Sequence, residues 1–212
     1  MANANRPSGF TPVGYLNGSQ WTGQSRLYAI AASYGTALYI GDPCISAGSA
    51  DAWGIPTIAI GAGSGALRGV IVGLYNTGQT TAPSPGGVSV GSILNANITY
   101  RPASDVNVWY AAVADDPNII FQIQEESNGT QLAATEIGLN QISLSAAGNG
   151  YISGWLLRSA TGATPNTTAT LQLRLLGLAQ VPGATNVFGA YAKHLVQINV
   201  HELGHGTGAA GV

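Results

Sequence analysis

Charge is scarce in this sequence. Charged residues make up 8% of the 212-residue chain, against roughly 25% in an ordinary soluble domain. Lys193 is the one lysine. Free-standing proteins keep surfaces rich in Lys and Glu. A surface this poor in both points to one that partners cover, because interface cores are depleted in those residues. The net charge of −2 offers nothing to attract nucleic acid or an acidic membrane surface. Cysteine is scarcer still. Cys44 stands alone, which excludes an intrachain disulfide and a Cys-based zinc site. Beside Pro43 it reads as a small buried residue. No run approaches the roughly 20 apolar residues of a membrane-spanning helix. The opening MANANRPSGFTPVG holds no apolar core of a signal peptide. The expectation is a chain made in the cytoplasm, in which the N-x-S/T triplets at Asn17, Asn97, Asn128 and Asn166 carry no glycosylation meaning.

What is present is apolar residues, at 45%, and 30 glycines. Residues 1–26 carry Pro7, Gly9, Pro12, Gly14, Gly18 and Gly23, a spacing no helix tolerates. Phe10, Tyr15 and Trp21 punctuate it, so it reads as an extended arm whose aromatics need a surface. From 27 to 95 follow short strand-like runs: RLYAIAA, TALYIGD, PTIAIG, LRGVIVGLY and VSVGSIL. Their spacing is that of a small β-barrel, and NTGQTTAPSPGG (76–87) is a loop by composition. From 96 to 212 the runs ITYR, NVWYAAVA, IIFQIQE, QISLSA, YISGWLLR, ATLQLRLLGLAQ and HLVQINV point to a β-sandwich, with a jelly roll as one arrangement, ending in a Gly-rich tail. FQIQ and LVQINV alternate apolar and polar as half-buried strands do. The fold class expected is all-β, without an amphipathic helix.

Three stretches invite a chemical reading. His201-Glu-Leu-Gly-His205 spells H-E-x-x-H, which binds zinc when the two His lie four apart on one helical face and the Glu serves as base. The third ligand of the longer H-E-x-x-H-x-x-G pattern would fall at Gly211, and LVQINV leads in as a strand. The expectation is therefore no metal and no catalytic residue, with His201 and His205 hydrogen-bonding at an interface. A metal shared between subunits is a lesser alternative. Gly61, Gly63 and Ala66 match G-x-G-x-x-A, but strand-like LRGVIVG follows where a dinucleotide fold needs a helix. Those glycines read as a tight turn between strands. The acids Asp115, Asp116, Glu125 and Glu126 bracket IIFQIQ and read as a turn and solvated strand ends. Calcium, or an Arg of a neighbouring chain, is the alternative.

Taken together, MANANRPSGFTPVG, RLYAIAASYGTALYIGDP, LRGVIVG, YRPAS, VADDPNIIFQIQEES and AKHLVQINVHELGHGTGAAGV resemble a family of capsid decoration, or cement, proteins of tailed bacteriophage heads, encoded beside the major capsid protein. The resemblance spans nearly the whole chain. NRPSGFTPVG and YRPAS…VADDP…FQIQE are its most distinctive pieces. The family's end resembles LVxIN followed by a Gly/Thr tail, with no required H-E-x-x-H. The resemblance implies an all-β protein without catalysis or cofactor, bound in many copies to the outside of an icosahedral head. Its partners would be the phage major capsid protein and other copies of itself, as a dimer or trimer at capsid symmetry axes. The sequence-level candidates for contact are Arg6, Phe10, Tyr15 and Trp21 of the arm, because buried aromatics and Arg dominate interface energetics, together with His201 and His205. The rival readings are another virion component, such as a tail or host-contact protein, which should carry a longer repetitive shaft, and a zinc metalloprotease.

Overall fold

A computed structural model of the chain describes residues 3–77, 98–180, 186–204, 208, 210 and 211. The expected strand VSVGSIL, nearly all of the expected loop 76–87, and His205 lie outside the described residues. The protein is all-β. Its strands are β1 (Thr11–Tyr15), β2 (Arg26–Ile30), β3 (Leu38–Tyr39), β4 (Pro43–Ala50), β5 (Pro56–Ile60), β6 (Gly69–Asn76) and β7 (Tyr100–Arg101). They continue with β8 (Trp109–Ala114), β9 (Ile119–Gln124), β10 (Asn140–Gln141), β11 (Ser143–Leu144), β12 (Leu156–Leu157), β13 (Leu173–Leu178) and β14 (Lys193–Ile198). The helical content among the described residues is a single 3-10 turn, Ala134–Glu136.

Five strands close a barrel in the order β2-β5-β4-β6-β8. β2 and β5 run parallel, and the other neighbours are antiparallel. Tyr28, Ile30, Cys44, Ile58, Ile71, Leu74, Trp109, Ala111 and Val113 fill it, with Leu38 beside them. β8 is buried along its whole length. Its odd-numbered residues point into the barrel. Ala114 joins a second core outside it.

That second core belongs to a five-stranded antiparallel sheet of order β1-β9-β14-β13-β10. Ile119, Phe121 and Ile123 of β9 and Val196 and Ile198 of β14 face inward, as the alternation in FQIQ and LVQINV requires. They pack on Trp155 and Leu157 at β12, and on Leu67, Val70 and Ala114 of the barrel side. Burial of this shared surface joins barrel and sheet into one unit.

Strand pairing draws the parts differently from the expected divisions at 26 and 95. The barrel takes its closing strand from β8, beyond residue 95. Residues 11–15 are not a free arm: β1 pairs with β9 and forms one border of the sheet. Its outer side is covered by the chain turning back on itself, with Tyr15 donating to Ser19 O (2.9 Å) and Trp21 to Val13 O (3.3 Å). This removes an exposed ladder that would otherwise template aggregation. The glycine-rich run 61–68 is not a tight turn between neighbours, since β5 and β6 both pair with β4, which lies between them. The run passes β4 instead. Gly65 supplies the left-handed residue of that loop (φ 91°).

Candidate functional site

The segment after β14 carries the H-E-x-x-H letters, and the structure makes it an extended run followed by a turn. Leu67 N–H donates to Val200 O and Glu202 N–H to Leu67 O, both at 2.9 Å. His201 thus bridges Leu67 in parallel, and residues 202–204 turn without helix. The β-branched lead-in and the partner backbone at Leu67 take the hydrogen bonds that a helix would need. His201 is buried in its own chain at 1% exposure. Its Nδ1 accepts from Leu203 N–H at 3.0 Å, which places the ring proton on Nε2, an atom without a partner among the described residues. Burial, the dominant cause, depresses its pKa to about 4.

Glu202 is equally occupied. Its carboxylate accepts from Ser46 N–H (3.0 Å) and Ser46 Oγ–H (2.5 Å), and pairs with Arg68 Nε at 3.4 Å. The Arg68 guanidinium lies over the Tyr28 ring, 5.5 Å from its centre. Tyr28 donates its hydroxyl proton to Asp115 Oδ2 at 2.6 Å, and Arg26 reaches the same oxygen at 3.4 Å. Burial first, and then this hydrogen bond, push the Tyr28 phenol up to about 12. The chain of contacts ties β2, β4 and the residues flanking β6 and β8 to the segment after β14. It leaves Glu202 no free oxygen to act as a base at a bound metal. Among the described residues no three His, Cys, Asp or Glu side chains cluster as metal ligands. Cys44 is buried as expected, with its Sγ 3.6 Å from Gly69 O, and burial raises its thiol pKa.

The acids around β9 correct the reading of solvated strand ends. Asp115, Glu125 and Glu126 are all buried. Glu125 faces His194, and Glu126 accepts from Ser159 N–H (3.0 Å) and pairs with Arg158 at 3.5 Å. Their partners come from the same chain. Asp116 does sit in a turn, accepting from Asn118 N–H at 2.8 Å. The sequence shows the acids but not the distant residues that cover them.

The candidate contact residues separate on folding. Phe10 is buried, edge-on to Phe121 at 6.1 Å, and so is a core residue of its own chain rather than an arm anchor. His201 is internal for the reason given above. Arg6 stays exposed, and its backbone N–H donates to Gln124 Oε1 at 2.7 Å. Tyr15 and Trp21 are half-buried on the edge of the second core.

Trp21 lines an apolar groove between the N-terminal segment and the barrel, together with Pro12, Ile40, Val72, Tyr151 and Ile152. Three of these are exposed: Tyr151 at 71%, Ile152 at 44% and Ile40 at 37%. Asn149 Oδ1 accepts from the N–H groups of both Tyr151 and Ile152, which holds these side chains outward in a turn. Sequence reading placed YISGWLLR in one strand, but only Leu156–Leu157 pair. The Asn149-Gly150 pair just before it was the available signal for a turn. Comparison with known proteins finds no matching family model, no matching curated protein and no matching solved structure.

Proposed function

We propose that this protein is a structural component of a tailed-phage head that binds the outside of the assembled icosahedral shell and cements it. The observation that carries the reading is the apolar groove of Trp21, Ile40, Tyr151 and Ile152 on a chain with only 8% charged residues. Contiguous exposed apolar side chains on a charge-poor surface mark contact with another protein. The sequence resemblance to phage decoration proteins supplies the partner, the major capsid protein. A cement acts by mass action: it binds assembled shell and not free coat subunits, so each bound copy favours the assembled state. Many identical weak contacts add through avidity.

The test is sedimentation of purified protein with expanded shells that lack it. Binding should saturate at a fixed number of copies per coat subunit and raise the shell's melting temperature. Shells that pellet without the protein would overturn the reading. The metalloprotease reading fares worse, because Glu202 is held by Ser46 and Arg68 and His201 Nδ1 by Leu203. Stoichiometric zinc in the purified protein would revive it.

A further inference from the structure

The chain holds three Asn-Gly pairs, Asn17-Gly18, Asn128-Gly129 and Asn149-Gly150, and all three asparagines are exposed. Glycine has no side chain to shield its own nitrogen, so in such a pair that nitrogen can attack the side-chain carbon of the preceding asparagine. The fold treats the three pairs differently. Asn17 Oδ1 accepts from Ser19 N–H (3.0 Å) and Ser19 Oγ–H (2.7 Å), but Gly18 N–H is committed to Tyr15 O at 2.9 Å. Gly129 N–H has no acceptor among the described residues, yet no hydrogen bond among them holds the Asn128 side chain. At Asn149 both conditions for attack are met. Its Oδ1 accepts from Tyr151 N–H at 3.0 Å and from Ile152 N–H at 2.9 Å. The first of these bonds folds the side chain back over the peptide that joins Asn149 to Gly150. Gly150 N–H has no acceptor among the described residues, and nothing lies within 4 Å of where a Gly150 side chain would begin.

We infer that Asn149 is a self-modifying site, which its own turn converts to aspartate and isoaspartate at the rim of the apolar groove. The inference stands on the geometry of the turn and not on the cement reading. Gly150 N loses its proton to solvent base and bonds to Asn149 Cγ, while negative charge gathers on Oδ1. The two N–H groups already aimed at Oδ1 stabilise that charge. Nδ2 takes a proton from water and leaves as ammonia, closing a succinimide ring. Water then opens the ring, at Cγ to give aspartate or at the backbone carbonyl to give isoaspartate. Water enters, ammonia leaves, and nothing is oxidised. Isoaspartate routes the backbone through the side-chain carbon, which ends the contacts that hold Tyr151 and Ile152 outward. Either product sets a carboxylate beside these two groove residues, where charge opposes apolar contact. The groove's chemistry therefore changes once, in one direction, as the protein ages.

The experiment follows the full chain at mildly alkaline pH, folded in one sample and unfolded in urea in another. Peptide mapping by mass spectrometry reads the one-dalton gain at each pair, and isoaspartyl methyltransferase labelling reads the isoaspartate. In the folded protein Asn149 should convert at least tenfold faster than Asn17 and at least threefold faster than Asn128, with isoaspartate among its products. In urea, where the turn is gone, the three rates should fall within threefold of one another. Folded protein in which Asn149 is no faster than Asn128 overturns the inference. The same ranking in urea as in the folded state overturns it too, because local sequence and not the turn would then set the rates. Aspartate without isoaspartate overturns the ring closure in favour of direct hydrolysis. Hydrogen exchange at the Tyr151 and Ile152 amides should quicken in the isoaspartate form, and unchanged exchange there would overturn the effect on the groove rim.

Discussion

His194 Nε2 lies 3.0 Å from Glu125 Oε2, with both side chains at zero exposure. The other carboxylate oxygen accepts Leu132 N–H at 2.7 Å. The pair therefore ties β14 to the end of β9 and to the loop ahead of the 3-10 turn. Removing Glu125 strands two buried partners at once. Glu125→Ala should cost about 3 kcal/mol or more in urea unfolding, whereas Glu125→Gln, whose carbonyl still accepts Leu132 N–H and whose amide donates to His194 Nε2 once the ring proton moves to Nδ1, should cost about 1 kcal/mol. Equal losses for the two would show that volume, and not the paired polar atoms, matters there.

Asp42 is buried at 2% exposure, with Tyr39 N–H donating to Oδ2 at 2.9 Å. Burial raises its pKa from 3.8 to about 6. The folded state thus holds this proton more tightly than the unfolded state. The stability it contributes is complete below pH 3.8 and is lost as pH rises through about 6. Asp42→Asn should be more stable than wild type at pH 7.5 by roughly 2–3 kcal/mol, and indistinguishable from it at pH 3.5. Melting curves across that range decide it, and a pH-independent difference would refute the assignment.

His201 has the opposite sign. Its pKa is depressed from 6.5 to about 4, so keeping it neutral stabilises the fold above pH 6.5, and that contribution is lost as pH falls through about 4. In wild type the Asp42 and His201 effects oppose each other between pH 4 and 6.5 and flatten the profile. His201→Gln should leave a curve that falls as pH rises through this window, and Asp42→Asn one that falls as pH drops. NMR titration of the His201 ring should find no protonation at pH 5.5.

Phe10 and Arg6 separate folding from binding. Phe10→Ala empties a core site beside Phe121 and should cost about 3–5 kcal/mol. Arg6→Ala changes an exposed side chain and should shift stability by less than about 0.5 kcal/mol. Any loss of shell binding in Arg6→Ala would then report contact directly. Deleting residues 2–21 is not a clean test of binding, because it removes β1 and Phe10 with it. That truncation should unfold at markedly lower temperature.

The strands themselves were legible because alternation and turn chemistry act over a few residues. IIFQIQ and LVQINV declare a two-residue period, Asp116-Pro117 a break, and the lone Cys44 next to Pro43 a buried small side chain. The all-β class follows from those local signals. What the sequence left open was which face of each strand another segment would cover. Glu125 and His194 are 69 positions apart, and Ser46 and Glu202 156. Nothing near either residue states that its partner exists. The same holds for Phe10, which becomes core only because β1 pairs with β9, and for β8, which closes a barrel begun at β2. The letters HELGH specify a zinc helix only where the backbone is free to coil. Here Leu67 had already claimed that backbone as an extended partner. Local chemistry decided the elements; long-range pairing and the burial it creates decided what each polar group does.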